Sequence, residues 1–257
     1  MSENHTNSQR LRATIAIASG TLSERAQEVW THPRFGELYP EFLFAIYGMV
    51  VSSTPMLLQA ALEADRLAAS DPLARQLAPY LHAHAEEEQG HDEWVLDDLS
   101  FLGFDRDKVF SRLPYTSMSA LIGAQYYLAR HVHPVAVLGY IAVVENPKSP
   151  EYLEDLAARN GLPVESMKTL LRHSHLDRVH VADFDRMLDS LSLTLIQRDI
   201  MTASGIATVS YLEAFFVDVL EHFSRSADRH LSARIFHRAA TPSLSAVSEV
   251  AGRSASG

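Results

Sequence analysis

Apolar residues recur at three- and four-residue intervals along most of the chain, which is the spacing of one face of an α-helix. The pattern predicts helices over residues 11–30, 41–62, about 72–102, 117–131, 134–145, 151–160, about 170–188 and 195–223. A capping residue followed by proline, Asp71-Pro72, marks the start of the third helix. No strand-like alternation or hairpin turn competes, so the sequence predicts an all-α fold.

The length and the pattern together predict a single domain with polar ends. The chain has 257 residues, of which 47% are hydrophobic, enough for one large buried core. Residues 1–10 are polar and are expected to form a disordered N-terminal arm. Residues 11–223 form the predicted helical domain, and residues 224–257 are a polar C-terminal tail rich in Ser, Ala and Arg.

Charge and composition limit the partners that the protein is expected to bind and the compartment in which it is expected to reside. A net charge of −10 argues against nucleic acid as a partner. The absence of cysteine excludes disulfides, thiolate metal sites and a cysteine nucleophile. The N-terminus has no signal-peptide pattern, and the longest apolar run, 134–144, is shorter than the roughly 20 residues that span a bilayer. We therefore expect a cytoplasmic protein without a membrane span.

The first candidate for chemistry is the segment HSHLDRVH. His173, Asp177 and His180 stand at offsets 0, 4 and 7, which lie on one helix face within about 40°. His175 points about 160° away from that face on the same geometry, so it is not expected to join the cluster. Two imidazoles and a carboxylate are therefore expected to face one spot.

The same spacing occurs earlier, in HAHAEEEQGH, where His84, Glu88 and His91 stand at offsets 0, 4 and 7. Imidazole and carboxylate ligands without thiolate suit iron, manganese or zinc, and open positions on iron suit dioxygen chemistry. With 13 histidines and 32 acidic residues, such triplets also arise by chance on solvated helix faces. However, Val95 and Phe184 continue the two stripes as apolar positions. Charged groups on such core-facing stripes need partners or a metal.

A further acidic residue, Glu145, ends the otherwise apolar run PVAVLGYIAVVE. A glutamate at a helix end is often simply solvated. In the functional interpretation it is a natural bridging carboxylate.

Three segments together, HAEEEQGHDEWVLDDLSFLG, HPVAVLGYIAVVEN and HSHLDRVH, resemble the haem-oxygenase-like diiron oxidases, and the resemblance extends over residues 31–223, including THPRFGELY. It implies a haem-oxygenase-like helical bundle with two iron ions. The implied metal ligands are Glu88, His91, Glu145, His173, Asp177 and His180. His84, Glu87 or Glu63 could supplement or replace Glu88 as a ligand.

The same resemblance implies an activity. Its members use O2 as co-substrate for N-oxygenation, desaturation or C–C cleavage of small amino-acid-like or fatty-acid-like substrates. An external electron donor and a homodimer are compatible with this interpretation. Candidate substrate-pocket residues are Tyr47, Tyr126, Tyr127, His131, His133 and Tyr140, although aromatic residues at helical spacing more often pack in the core.

Other functions stay open from the sequence. A thiaminase-like hydrolase or a cofactorless oxidase could share the same fold, although the hydrolases use a thiol nucleophile that this chain lacks. A ferritin-like bundle would carry Glu-x-x-His on both ligand helices, whereas the second motif here has Asp177. A metal-storage or haem-binding helical protein without turnover is the non-catalytic alternative.

Overall fold

The computed structural model of the protein describes residues 5–145 and 149–228, without the side chains of residues 177–179 and 226–228. Its helices are α1 (Asn7–Ala18), α2 (Gly20–Trp30), α3 (Phe35–Leu67), α4 (Pro72–Glu87), α5 (His91–Phe101), α6 (Arg106–Phe110), α7 (Thr116–His131), α8 (Ala136–Val144), α9 (Pro150–Arg159), α10 (Lys168–Ser190) and α11 (Leu195–Asp228). A 3₁₀ turn, Val164–Met167, leads into α10. The described residues contain no strand, so the predicted all-α fold is confirmed.

Two long helices form the centre of the bundle. Helix α3 packs against α4, α5 and α7, and α11 packs against α8, α7 and α2. The contact between α8 and α11 is especially close, because a Cβ atom on Gly139 would overlap the backbone carbonyl of Met201. This close approach fixes the position of α8, whose carboxyl end leads directly into Glu145.

The two central helices are also long and apolar enough to cross a membrane by length and composition alone, over Phe35–Leu67 and Leu195–Arg225. That criterion is weak, because the core helix of a globular bundle also meets it. In the structure both helices pack against several neighbours within the bundle. The expectation of no membrane span therefore stays a prediction.

The N-terminal arm is shorter than predicted, since residues 7–10 form the first turn of α1 rather than disordered chain. Thr6 and Gln9 form a reciprocal capping box at the start of this helix. The Ser8 backbone N–H and hydroxyl both donate to the Asp189 carboxylate, at 2.8 and 3.0 Å, which ties α1 to the end of α10. These local and long-range hydrogen bonds order the segment in spite of its polar composition.

Other predicted boundaries also differ from the structure. The helix predicted over residues 41–62 spans Phe35–Leu67, and the short helix Arg106–Phe110 was not predicted. The helix predicted over residues 11–30 is two helices that meet at Ser19. The last helix runs to Asp228 instead of ending at residue 223. Residues 229–257, the greater part of the predicted tail, lie outside the described residues, as do residues 1–4.

The most consequential difference is a break within the helix predicted over residues 72–102. Helix α4 ends at Glu87 and α5 begins at His91, and Gly90 between them has a φ of +85°. Glycine adopts this left-handed conformation without the steric cost that a Cβ atom brings. The triplet of His84, Glu88 and His91 therefore lies across a helix junction, and the expectation of one continuous helix was wrong.

Candidate metal centre

Helix α10 carries two of the predicted ligands on a continuous backbone, His173 and His180. The Nδ1 atom of His173 lies 2.8 Å from the carbonyl oxygen of Thr169. A carbonyl can only accept, so Nδ1 carries the proton and Nε2 is left to bind a metal. The side chain of Asp177, another predicted ligand on this helix, lies outside the described residues.

One group of ligand atoms, which we call the Glu88 cluster, joins the α4–α5 junction to α10. Glu88, His91 and His173 each offer one ligand atom within 4.8 Å of the others. His91 Nδ1 lies 3.2 Å from Glu88 Oε2, and the rings of His91 and His173 are 5.0 Å apart. Three donors at this separation can share one metal ion.

The protonation states of this cluster suit metal binding. Burial opposes ionisation of Glu88, but the neighbouring imidazoles of His91, His173 and His84 outweigh it and lower the pKa of the Glu88 carboxyl. Burial lowers the pKa of His173. An ionised carboxylate and a neutral imidazole are the forms that bind metal.

A second group, which we call the Glu145 cluster, lies at the carboxyl end of α8. His84 Nε2 lies 3.0 Å and His180 Nδ1 lies 4.0 Å from Glu145 Oε1. The exposed Glu87 reaches its edge, with Oε2 3.6 Å from His180 Nε2. Glu145 itself is only 8% exposed, so the carboxylate that ends the apolar run is buried rather than solvated.

Several buried polar atoms of these clusters have no hydrogen-bond partner among the described residues: His91 Nδ1, His180 Nδ1 and both carboxylate oxygens of Glu145. The close approaches of His84 to Glu145 and of Glu88 to His91 are ion-pair distances that lack the angles of a hydrogen bond. A buried carboxylate without hydrogen bonds is costly. Its oxygens and the neighbouring nitrogens fit the ligand set of a metal ion such as iron.

The two clusters are close enough to influence one another. Burial acts to lower the pKa of His84, but nearby carboxylates outweigh it and raise this pKa. Glu145 contributes most of the increase, and the charge of Glu88 adds to it. His180 likewise helps to lower the pKa of His173, after the larger effect of burial. The two clusters are therefore electrostatically coupled.

Asp98 on α5 holds the two ligand-bearing helices together. It is fully buried, and its two carboxylate oxygens accept the backbone N–H groups of Lys168 at 3.1 Å and Thr169 at 2.8 Å. These are the first N–H groups of α10, which helical bonding leaves without partners. Because Thr169 also orients His173 through its carbonyl oxygen, Asp98 connects the helix of His91 to the ring of His173.

Most of the predicted ligands are therefore brought together, in the two clusters described above: Glu88, His91 and His173 in one, and Glu145, His84, His180 and Glu87 in the other. Glu63, named as a substitute ligand, is occupied elsewhere. Its buried carboxylate pairs with Arg66 at 2.8 Å and with Arg130. Two arginines satisfy this carboxylate without a metal.

A cavity of about 420 Å³ opens beside the Glu88 cluster. It is lined by Ile15, Ser19, Leu22, Ser23, Ala26, Gln27, Trp30, Phe42, Ile46, Met49, Val50, Ala142, Val143, Val144, Leu153, Thr169, Leu170, His173, Ser174, Leu212, Phe215 and Phe216. His173 thus faces both the candidate metal ligands and the cavity, and Val144 directly precedes Glu145. The described residues of the lining include no lysine, arginine, aspartate or glutamate, so this part of the cavity is largely apolar.

None of the six predicted pocket residues lines this cavity. Tyr127 is 61% exposed and packs on His131. His133 accepts the backbone N–H of Val135 on Nδ1 and donates from Nε2 to Asp71 at 3.0 Å, which secures the start of α4. The sequence pattern identified aromatic and histidine side chains but not the direction in which each one points.

The other three predicted pocket residues also lie elsewhere. Tyr47 lines a separate, very small pocket and Tyr126 is half-buried. Tyr140 is buried near the clusters, where burial and then the charges of Glu88 and Glu145 raise its pKa. None of the six residues therefore belongs to the cavity beside the Glu88 cluster, and their role in a substrate pocket stays a prediction.

Comparison with known proteins identifies the fold. No protein-family model and no curated protein sequence matches the chain. A crystal structure of a domain of unknown function with a haem-oxygenase-like fold, from Shewanella denitrificans, superimposes with a TM-score of 0.68 at 22% sequence identity. The match covers 88% of this chain and 95% of that one. With its helices in this arrangement over nearly all of the neighbour's length, the chain adopts the haem-oxygenase-like fold.

Proposed function

We propose that the protein is a non-haem diiron oxidase or oxygenase that uses O2. The observation that carries the proposal is Glu145, a buried carboxylate without hydrogen-bond partners among the described residues, between His84 and His180. A buried carboxylate is costly unless a cation neutralises it. Without metal a protonated His84 can do so, since burial acts to lower its pKa but Glu145 and other nearby carboxylates raise it. An iron ion that displaces this proton would take its place. The haem-oxygenase-like fold and the resemblance of the motifs support the same conclusion.

The two clusters divide the ligands. Glu88, His91 and His173 would hold one iron ion, and Glu145, His84 and His180 would hold the other. Asp177, whose side chain is not described, stays a predicted ligand on the strength of its motif. Two iron ions with carboxylate and imidazole ligands would supply redox equivalents and open positions for O2.

Two tyrosines lie near the clusters. Tyr80 packs between His84 and Phe184, with ring separations of 5.6 and 6.5 Å. Burial is the main reason that the pKa of Tyr80 is raised, with smaller contributions from nearby carboxylates, so its phenol stays protonated at neutral pH. Tyr80 and Tyr140 thus form walls that add no charge to the site.

The cavity favours one of the two expected substrate classes. An amino acid carries both a positive and a negative group, and burial of unpaired charge is costly. Among the residues that the structure describes, the cavity lining offers no charged side chain to pair with either group. A fatty-acid-like molecule fits this lining better, because it brings an apolar chain and one charged group instead of two, and that group would lie at the His173 end of the cavity. Desaturation or C–C cleavage of such a chain is therefore favoured over N-oxygenation.

An assay of O2 consumption tests the proposal. Protein loaded anaerobically with Fe(II) is mixed with O2 and either saturated fatty acids of increasing length or amino acids, and products are identified by mass spectrometry. We expect O2 consumption and a modified product only with the fatty acids. An intense Soret band in the purified protein would instead indicate a haem protein. Absence of any iron-dependent product with either class would contradict the proposal.

A further inference from the structure

An aromatic stack connects the Glu88 cluster to the surface. Trp94 lies in the first turn of α5, and its ring stacks on that of His91 at 3.9 Å with an interplanar angle of 27°. The same indole meets the ring of His173 edge-on at 5.5 Å. One tryptophan therefore touches both histidines of the cluster.

The outer side of the indole faces a cation at the surface. The guanidinium carbon of Arg172 lies 4.8 Å from the centre of the Trp94 ring, within the range of a cation–π contact. Arg172 is exposed and Trp94 is half-buried. We call Arg172, Trp94 and His91 the Trp94 stack. It is a continuous series of contacts from solvent to a candidate metal ligand.

The stack and the cavity approach the cluster separately. Trp94 and Arg172 are not among the residues that line the cavity, whereas His173 is. A substrate can thus occupy the cavity while an electron donor reaches the candidate metal ligands through the Trp94 stack. An enzyme that binds substrate next to its metal centre benefits from such a division, because electron delivery then does not require the substrate to leave.

We propose that Trp94 is an electron relay between an external one-electron donor at the surface near Arg172 and the metal ion at the Glu88 cluster. This inference rests on the proposed diiron function. Each transfer oxidises the donor by one electron and reduces one Fe(III) to Fe(II), so two transfers return both ions to the ferrous state. The indole makes and breaks no bond. It provides π contact that replaces a gap through which electron tunnelling would be slower.

The absence of cysteine from the chain makes a direct test practicable. Leu176 is 37% exposed and stands one helical turn after Arg172, on the same face of α10. In Leu176→Cys, a thiol-reactive ruthenium photosensitiser therefore labels a single site next to the stack. After a laser flash in the presence of a sacrificial quencher, the label delivers one electron, and the loss of ferric absorbance gives the rate of iron reduction.

The rate of iron reduction in the labelled protein is compared with the rates in three labelled variants, Trp94→Phe, Trp94→Leu and Trp94→Met. We expect the two aliphatic variants to slow iron reduction by about 10- to 100-fold, the scale on which partners of metal ligands act. Trp94→Phe, which keeps a ring on His91, should retain most of the rate. Two aliphatic replacements of different shape are used so that a packing defect in one does not decide the outcome.

Tyr127→Leu is the matched control, because Tyr127 also packs on a histidine ring, that of His131 at 5.0 Å. Its removal should leave the rate of iron reduction unchanged. Iron content is measured for every variant before the flash. Equal reduction rates in wild type and in an aliphatic variant of equal iron content would overturn the relay. A wild-type protein that takes up no iron would overturn the diiron function itself, so the two failures are distinguishable.

Discussion

The two histidine triplets have identical spacing in the sequence but different backbones. On α10, His173 and His180 lie on one continuous helix, and about seven residues of helix separate them by roughly 10 Å along the axis. In the other triplet, His84 ends up on α4 and His91 on α5, on either side of a helix junction. Each triplet nevertheless gives one histidine to each cluster.

The pairing between the triplets is reversed in order. His91 meets His173, with ring centres 5.0 Å apart, and His84 meets His180 at 5.7 Å. The first histidine of one triplet thus faces the last histidine of the other. A regular helix is sufficient to present ligands at both clusters, and a broken one can do the same if its junction is fixed.

The difference lies in what fixes each segment. Helix α10 depends on other helices, because Asp98 caps its first turn and the Ser8 backbone and hydroxyl bind Asp189 near its end. The α4–α5 junction depends on its own backbone, through the positive φ of Gly90. Loss of a ligand, of the cap or of the junction should therefore have separable effects.

The largest effect is expected from removal of a ligand on the continuous helix. His173→Ala should abolish O2-dependent activity, because His173 belongs to the Glu88 cluster and also faces the cavity. The helical content should change little, since one ligand affects metal affinity more than topology. Activity and circular dichroism are measured together.

The control on the same helix is His175→Ala, since His175 is exposed. This variant should be nearly silent in activity. Full iron content and activity in His173→Ala would remove the α10 triplet from the site.

The next effect concerns the cap of α10 and depends on pH. Burial raises the pKa of Asp98 from 3.8 to about 6, although the Lys168 and Thr169 groups oppose it. The folded protein then holds the proton more tightly than the unfolded chain. Stability contributed by the protonated form is complete below about pH 4 and is lost as pH rises through 6. At about 1.4 kcal/mol per pKa unit, the change is about 3 kcal/mol.

The measurement is the urea unfolding free energy of wild type and Asp98→Asn at several pH values between 4 and 7. Asparagine does not ionise, so the difference between the two unfolding free energies should change by about 2 kcal/mol, most of the full effect, between pH 4 and 7. A difference that is constant with pH would show that Asp98 does not titrate there.

Removal of the buried charge of Glu145 should weaken iron binding less than the loss of a histidine ligand does. Glu145→Gln keeps the size of the side chain but weakens an oxygen ligand, so Fe(II) affinity should fall by about 10- to 100-fold. The exposed Glu154 gives the control variant, Glu154→Gln, in which affinity should be unchanged. Anaerobic titrations of the three proteins side by side make the comparison, and three equal affinities would exclude Glu145 as a ligand.

The smallest effect is expected at the helix junction. A Cβ atom on Gly90 would meet nothing within 4 Å, so Gly90→Ala should cost only the strain of the left-handed backbone, about 1–2 kcal/mol. Gly103 has the same φ of +85° and equal space, but it lies at the other end of α5. Gly103→Ala should cause a similar loss of unfolding free energy without weakening iron binding. Gly90→Ala, by contrast, should also weaken iron binding, because Gly90 lies between Glu88 and His91. Equal iron affinities in the two variants would show that the conformation of the junction does not affect the metal site.

Most of the helices, and most of the residues that meet in the two clusters, could be predicted from the sequence because they depend on local periodicity. Glu145 could be identified as a candidate site residue as well, since an acidic residue that ends a long apolar run is unusual. The helix junction was missed because Gly90 lies in a polar run that tolerates either a helix or a turn. Only the structure shows that Gly90 has positive φ there.

Features that join distant segments could not be predicted with the same success. Asp98 stands seven residues after His91, on the same helix face, which was an available signal for a buried acid. Its partners, however, are backbone groups at Lys168 and Thr169, far away in the sequence. The cavity depends on how seven helices pack around it, whereas periodicity identifies the buried face of one helix without its neighbours.

The number of iron ions bound per chain tests the central claim most directly. Wild-type protein is titrated with Fe(II) without oxygen, and bound iron is measured after removal of excess metal. Because the ligands divide between the Glu88 and Glu145 clusters, we predict saturation close to two ions per chain. Saturation at one ion, or no binding at all, would contradict a diiron centre.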